Sequence, residues 1–250
     1  MLMEIAIQLY TVRDRTAIDM AGTLEALAGL GYRCVETAGY GDSNPTEMRN
    51  VLDGNGLKAI SAHVPLDRLV SERSQVIEEM HALGVNQVIV PWLAPERRTG
   101  AYVSTLIGHL NSLVPVMEAE GFTFGYHNHD FEFSPLEDGR SIMDRIIAET
   151  DPDAVMLQID LGWAQFAGAD PVALVRENPG RVPTVHCKDL SPENGPITTG
   201  DGILDWSEIV KAARASGTQT LIVENDQPSG DSLDDAARAL ANMERLLAAD

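Results

Sequence analysis

Cysteine is scarce in this sequence, because only Cys34 and Cys187 occur among 250 residues. Both lie in apolar segments, so we expect two buried thiols and no disulfide framework. No apolar run approaches the roughly 20 residues that a transmembrane helix needs. The first residues also lack the basic start and apolar stretch of a signal peptide. We therefore expect a soluble, cytoplasmic protein with no membrane partner.

Basic residues are also few. The chain has 18 Lys and Arg against 38 Asp and Glu, which gives a net charge of −20. Such a surface repels phosphate backbones, and no basic patch is visible along the chain. Nucleic acid is therefore not an expected partner. An acidic protein is better suited to a small ligand that is neutral or that binds through a metal ion.

Short apolar segments alternate with longer segments of helical period along the whole chain. The predicted strands are residues 4–10, 34–38, 59–64, 87–92, 123–128, 155–160, 184–189 and 221–225. The predicted helices lie near residues 17–29, 45–53, 72–82, 101–119, 140–149, 171–177, 205–215 and 232–248. Eight such repeats of roughly 30 residues predict an α/β fold, a single (β/α)8 TIM barrel that covers residues 1–250 as one domain.

A doubly wound open sheet is the competing fold. It usually has fewer strands and carries a glycine-rich phosphate loop after the first one, where this chain has Gln-Leu-Tyr-Thr-Val-Arg (residues 8–13). The segment TTGDGILDW (residues 198–206) does contain glycines, but it does not lead directly from a strand into a helix. We interpret it as a loop that ends in a helix N-cap at Asp205.

Polar residues stand at the predicted strand ends, where a TIM barrel has its active site. Four consecutive strands end in imidazole or carboxylate side chains, namely His127, Asp160, His186 and Glu224. Such groups are costly to bury unless they are paired or bound to a cation. They are also the ligands that Mn²⁺, Fe²⁺, Co²⁺ and Zn²⁺ share. We predict one divalent metal site here; the alternative is a hydrogen-bonded cluster that caps the barrel mouth.

The stretch FTFGYHNHDF (residues 122–131) places His127 and His129 one residue apart at the end of a predicted strand. Side chains two positions apart in a strand point to the same side, so both histidines should face the barrel mouth. His129 could orient a neighbour or a substrate hydroxyl, or transfer a proton. If this strand continues through residues 130–133, Glu132 becomes a reserve ligand or acid/base group; otherwise it is a solvated loop residue.

Lys188 follows His186 by two residues and should point the same way. There it could hold a substrate oxygen or donate a proton, so it is both a catalytic and a substrate-binding candidate. A salt bridge from Lys188 to Glu36 or Asp160 is the structural alternative.

Other strand ends offer candidate substrate contacts. These are Gln8, Tyr10, Glu36, His63 and Trp92. Tyr10 and Trp92, together with Trp163, could form an apolar wall that stacks on a sugar face. Core packing is the alternative for each aromatic residue, and a satisfied core histidine is the alternative for His63. His81 and His109 fall within predicted helices and have no predicted role.

Seven segments together resemble one family. They are IQLYTVRD, AHVPL, GYHNHDFEF, QIDLGWAQFAGADP, VHCKD, GDGILDW and VEND. The sequence resembles the xylose isomerase-like TIM barrels of the sugar phosphate isomerase/epimerase superfamily, which includes inosose dehydratases and an AP-endonuclease branch. The resemblance implies a divalent ion held by one residue from each of strands five to eight, at His127, Asp160, His186 and Glu224. Manganese is the expected ion, with Mg²⁺, Fe²⁺, Co²⁺ and Zn²⁺ as alternatives. A sugar or polyol substrate and a homodimer or homotetramer are implied as well.

Two positions depart from the family pattern. Epimerases of this family commonly place a glutamate at the strand-five position and use two metal-bound glutamates on opposite faces of the substrate, but this chain has His127 there. Trp163 stands where many relatives have histidine. The His-x-His pair on strand five is instead similar to the inosose dehydratase branch.

We therefore expect a metal-dependent isomerase or epimerase that acts on a sugar, keto-sugar or inositol derivative by removing a proton beside a carbonyl. Glu224, Glu132 or a histidine would take the proton, and Lys188 or His129 would return one. The first alternative is a dehydratase or other lyase that begins with the same step. A non-catalytic sugar-binding barrel and an AP-endonuclease-like hydrolase are further alternatives, and the low content of basic residues argues against the hydrolase.

Overall fold

The computed structural model describes residues 3–41 and 43–249. Eight parallel strands close into a barrel through pairing of the first with the last, in the register Glu4↔Thr220. The strands are β1 (Glu4–Gln8), β2 (Cys34–Thr37), β3 (Lys58–His63), β4 (Gln87–Val90), β5 (Thr123–His127), β6 (Val155–Asp160), β7 (Thr184–Cys187) and β8 (Thr220–Val223). The closed barrel with alternating helices confirms the predicted TIM-barrel fold and rules out the open sheet.

Helices follow the strands and surround the barrel. Within the described residues they are α1 (Arg13–Thr16), α2 (Met20–Leu30), α3 (Pro45–Gly54), α4 (Leu66–Ser71), α5 (Arg73–Leu83), α6 (Gly100–Ala119), α7 (Ile142–Glu149), α8 (Leu161–Phe166), α9 (Pro171–Arg176), α10 (Trp206–Ser216) and α11 (Ser232–Ala249). All eight predicted helices are present. The short helices α1, α4 and α8 were not predicted, since each has too few turns to show a helical period.

Local sequence signals explain where the helices begin and end. Asn44 and Glu47 form a reciprocal capping box at the start of α3, and Asp205 accepts a hydrogen bond from the backbone N–H of Glu208 at the start of α10. The predicted N-cap at Asp205 is therefore confirmed. Gly31 and Gly84 end α2 and α5 in the left-handed conformation, which glycine adopts without a steric penalty.

Seven of the eight strands end one or two residues earlier than predicted, and β1, β4 and β5 show how this changes the surroundings of candidate residues. β1 ends at Gln8, whose side-chain oxygen accepts a hydrogen bond from the N–H of Tyr10, and residues 9–12 form a 3-10 helix. β4 ends at Val90, two residues before Trp92. β5 ends at His127, and residues 131–133 form another 3-10 turn. Strand five therefore does not continue through Glu132, because the chain turns at the barrel rim; the alternative of a solvated loop residue is also wrong, since Glu132 is fully buried.

The core lies between the barrel and its helices and includes large buried side chains such as Tyr32 and Phe124. A smaller cluster of Ala6, Cys34 and Ile222 is formed by side chains of β1, β2 and β8. Both cysteines are free and buried, as predicted. Across residues 3–41 and 43–249, every helix is too short or too polar to cross a bilayer.

The loop that follows β7 is fixed by one buried carboxylate. Asp189 and Leu190 pair with Pro196 and Ile197 in a two-stranded antiparallel hairpin. The Asp189 side chain then accepts hydrogen bonds from four backbone N–H groups and one indole N–H, those of Leu190, Gly200, Gly202, Leu204 and the Trp206 ring. The segment 198–206 is thus an ordered loop, as predicted, and it is tied to the end of β7.

Candidate active site

Four polar side chains converge at the carboxyl ends of β5 to β8. His127 and Asp160 end their strands, His186 lies within β7, and Glu224 follows β8 directly. Each offers one potential ligand atom, and these atoms all lie within 4.8 Å of one another. All four side chains are buried, Asp160 and His186 completely. The structure therefore brings together the four residues that the sequence indicates as metal ligands.

Two buried atoms of this set lack hydrogen-bond partners. They are His127 Nδ1 and Asp160 Oδ2, the second of which lies 3.2 Å from the Lys188 ammonium without hydrogen-bond geometry. Burial lowers the pKa of His127 well below its ordinary value, so the ring is neutral and a nitrogen lone pair can bind a cation. Unsatisfied buried polar atoms are rare because they are costly. The donor set of two carboxylates and two imidazoles fits a divalent ion such as Mn²⁺.

Beneath this set, Glu36 is fully buried and accepts hydrogen bonds on both oxygens. Gln8 and Gln158 each donate at 2.7 Å, and the Ser61 hydroxyl donates at 2.5 Å. His186 Nε2 lies 2.6 Å and His63 Nε2 lies 3.0 Å from Glu36 Oε1. Glu36 and Gln8 therefore form a layer below the cavity, where they orient the histidines above them.

The charges in this layer are coupled. Although burial opposes it, the neighbouring His63 and His186 hold the pKa of Glu36 well below its ordinary value. Against the same effect of burial, Glu36 and Glu224 raise the pKa of His186 to about 10. His186 thus bridges two carboxylates, and an ion bound beside Glu224 would displace the proton from His186 Nδ1, which lies 2.8 Å from Glu224 Oε2.

Lys188 is almost completely buried among three carboxylates. Its ammonium lies 2.7 Å from Asp226 and 3.1 Å from Glu224, in addition to its contact with Asp160. These carboxylates raise its pKa above the ordinary value against the effect of burial, so the group is charged. Of the two salt bridges considered from the sequence, the one to Asp160 is present. A Cβ at Gly162 would lie 2.8 Å from the Lys188 side chain, so only glycine permits this close approach.

His129 and Glu132 have separate surroundings. His129 lines the cavity, its Nδ1 is buried without a partner, and burial lowers its pKa to about 3. Glu132 is fully buried, and its two oxygens accept hydrogen bonds of 2.7 Å from the Tyr126 hydroxyl and from the His129 N–H. Burial raises the pKa of Glu132 to about 8. Glu132 therefore holds the turn after β5 and does not point toward the ligand set.

A cavity of about 730 Å³ opens at this end of the barrel. His63, His127, His129 and Glu224 line it together with Tyr10, Tyr40 and Trp92, and about half of the surface of Tyr10 and of Trp92 is exposed. The volume falls within the range for small-molecule sites. The Lys188 ammonium lies 4.7 Å from the centroid of the Trp163 ring.

Two residues near the site were not predicted from the sequence. Asp226 lines the cavity and pairs with Lys188, and Gln158 bonds both Glu36 and His63. The two-residue period could have indicated Asp226, because it stands two positions after Glu224. Gln158 stands two positions before Asp160 in β6, but a neutral side chain gives no charge signal.

Sequence comparison finds inosose dehydratases. The chain is 28% identical over 192 residues to the inosose dehydratase of Geobacillus kaustophilus, which covers 67% of this chain and 61% of that relative. It is 31% identical over 104 residues to the inosose dehydratase of Lacticaseibacillus casei, over 34% of this chain and 35% of the relative. The chain thus spans less than two thirds of the length of these curated relatives.

Structural comparison and a family model agree on the fold. A sugar phosphate isomerase/epimerase from Parabacteroides distasonis superposes with a TM-score of 0.86 at 23% identity, over 98% of this chain and 94% of that one. At this identity the likeness shows the fold alone. Residues 24–246 match the model of the xylose isomerase-like TIM barrels. Since this match spans most of the sequence, the chain belongs to the xylose isomerase-like TIM barrel family.

Proposed function

We propose that this protein is a divalent-metal-dependent enzyme that removes a proton beside the carbonyl of a keto-sugar or keto-inositol and then eliminates water or another oxygen leaving group. The observation that carries this proposal is the pair of buried atoms that make no hydrogen bond, His127 Nδ1 and Asp160 Oδ2, within a compact set of two imidazoles and two carboxylates. A buried set of this kind is stabilised by a cation.

The four residues at the ends of β5 to β8 would hold the ion, with Mn²⁺ as the first choice. When bound, such an ion polarises a substrate carbonyl as a Lewis acid and makes the adjacent C–H more acidic. Glu224 lines the cavity, and although burial opposes it, Lys188 and His186 keep its pKa below the ordinary value. It is therefore ionised and can accept the proton.

Lys188 supplies the complementary acid. Its ammonium lies 3.1 Å from Glu224 Oε2, so a buried, charged ammonium stands directly beside the ionised carboxylate that lines the cavity. Protonation of a departing oxygen by such a group is general acid catalysis. Neutral His129, also on the cavity wall, can orient a substrate hydroxyl.

Elimination fits these residues better than two-base epimerisation. Epimerisation of the family type needs a second carboxylate on the opposite face of the substrate. The candidate for that role, Glu132, has both oxygens occupied by Tyr126 and His129. The relatives named inosose dehydratases support the same choice. Isomerisation is the second candidate, because one base such as Glu224 can move a proton between neighbouring carbons.

The test is incubation of the manganese-loaded protein with an inosose and a set of keto-hexoses in D₂O. Proton NMR follows deuterium exchange beside the carbonyl, and mass spectrometry follows loss of water. Elimination predicts exchange together with a dehydrated product. Exchange with an isomeric sugar as the product would favour isomerisation. Sugar binding without exchange for any compound would contradict both and favour a non-catalytic sugar-binding barrel.

A further inference from the structure

The proposed reaction leaves Asp226 without a role. This residue stands two positions after Glu224, lines the cavity, and has a side chain that is 20% exposed. Its Oδ2 lies 2.7 Å from Lys188 Nζ. Of the three carboxylates around Lys188, Asp226 makes the shortest contact and the one with hydrogen-bond geometry.

The other two contacts of Lys188 involve predicted ligand atoms. The ammonium lies 3.1 Å from Glu224 Oε2 and 3.2 Å from Asp160 Oδ2. Two cations that seek the same buried oxygens repel each other, and water screens this repulsion little at a buried site. A charged Lys188 therefore competes with a divalent ion for Asp160 and Glu224.

The surroundings limit where the ammonium can go. Gly162 packs against the stem of the lysine, and the Trp163 ring lies 4.7 Å from the ammonium. The backbone of Asp226 is itself held, because its carbonyl accepts a hydrogen bond of 2.6 Å from the Arg13 guanidinium. Asp226 is thus a fixed anion on the cavity side of Lys188.

We propose that Asp226 is a positioning residue that draws the Lys188 ammonium away from Asp160 and Glu224, and in this way sets the affinity of the site for a divalent ion. The inference rests on the proposed function, since it requires that the four-residue set binds such an ion. An ordinary ion pair that only stabilises the barrel mouth is the alternative.

The test is manganese binding to the metal-stripped protein, measured from the electron paramagnetic resonance signal of free Mn²⁺. Four proteins are compared: the wild type, Asp226→Asn, Lys188→Met and the double variant. Coupling energies between contacting residues correspond to about tenfold changes in affinity. We expect Asp226→Asn to weaken binding about tenfold and Lys188→Met to strengthen it. In the Lys188→Met background, Asp226→Asn should have no more than about a twofold effect.

Asp14→Asn is a matched control, because it removes the same charge from an exposed position that faces Arg15. We expect its affinity to equal that of the wild type. Circular dichroism in chelator verifies that each variant is folded, and the tighter binding of Lys188→Met tests the proposal even if Asp226→Asn does not fold.

Each contrary result has its own meaning. Equal weakening by Asp226→Asn in both backgrounds would show a general charge effect and overturn the positioning role. Unchanged affinity in Asp226→Asn would overturn it as well. Failure of the wild type to bind Mn²⁺, Co²⁺ or Zn²⁺ would overturn the metal-dependent function, and the inference with it.

Discussion

Asp160 and Asp189 are two fully buried aspartates at the ends of neighbouring strands, and they differ in what their oxygens contact. Asp189 accepts five hydrogen bonds, two on Oδ1 and three on Oδ2. Asp160 accepts one, from the N–H of Trp163 in the first turn of α8. Its other oxygen accepts no hydrogen bond and lies 3.2 Å from the Lys188 ammonium.

The difference distinguishes a buried carboxylate that stabilises the fold from one that can bind a ligand. A buried carboxylate with all its lone pairs engaged fixes a fold, as Asp189 fixes the loop 198–206. A buried carboxylate oxygen that accepts no hydrogen bond, beside an imidazole nitrogen that makes none, can bind a ligand. We propose that Asp160 belongs to the second class and that the chemistry of the site depends on its open oxygen.

The largest effect is expected at Asp160. Asp160→Asn keeps the shape of the side chain but removes a predicted ligand charge. Loss of several kcal/mol of charge stabilisation corresponds to about a 10³-fold fall in kcat/KM. The melting temperature in chelator should change little, since Oδ1 can still accept the bond from Trp163. Steady-state kinetics on the best substrate measures the effect, and near wild-type activity would remove Asp160 from the functional class.

Asp189→Asn should have the opposite profile. An amide in place of one oxygen turns a donor toward N–H groups, so at least two donors lose their acceptor. Unsatisfied buried groups of this kind destabilise a protein by about 3 kcal/mol in total, or about 6–12 °C in melting temperature for a chain of this size. The manganese affinity of the folded protein should stay unchanged. Calorimetry provides the melting temperature, and an unchanged value would contradict the structural role.

Glu132→Gln tests a third buried carboxylate. Like Asp189, Glu132 accepts hydrogen bonds on both of its oxygens. Burial raises the pKa of Glu132 to about 8, above the unfolded value of about 4.3. The folded state therefore holds this proton more tightly, and the stability that it contributes is complete below about pH 4 and is lost as pH rises through about 8.

In Glu132→Gln that dependence disappears, so the melting temperature should fall less between about pH 5 and pH 9 than in the wild type. Manganese stoichiometry should be unchanged. Loss of the metal in this variant would instead show that Glu132 is the strand-five ligand.

Trp92→Ala gives the smallest expected effect. It tests the proposed aromatic wall of the cavity, which involves no buried carboxylate. The ring is 48% exposed, so its removal should leave stability within about 0.5 kcal/mol. Lost stacking on a substrate should raise KM by up to about tenfold with kcat unchanged. A fall in kcat at constant KM would mean that Trp92 acts on the reacting group.

Strand and helix periodicity was sufficient to predict the barrel, because eight apolar runs alternate with eight helical segments along the chain. It was also sufficient to predict that His127, Asp160, His186 and Glu224 lie at one end of the barrel, since the carboxyl ends of parallel strands lie on the same side. Periodicity does not show which oxygens are already occupied. Glu132 and Glu36 looked like site residues, yet their partners, Tyr126 for one and Gln158 for the other, come from side-chain packing that the spacing does not encode.

Metal content addresses the central claim most directly. The wild type and Asp160→Asn would be loaded with Mn²⁺, freed of excess ion and measured by elemental analysis, with Asp189→Asn as the matched control. We expect about one manganese per chain in the wild type and in folded Asp189→Asn, and almost none in Asp160→Asn. Equal metal in all three proteins, or none in the wild type after loading, would contradict it.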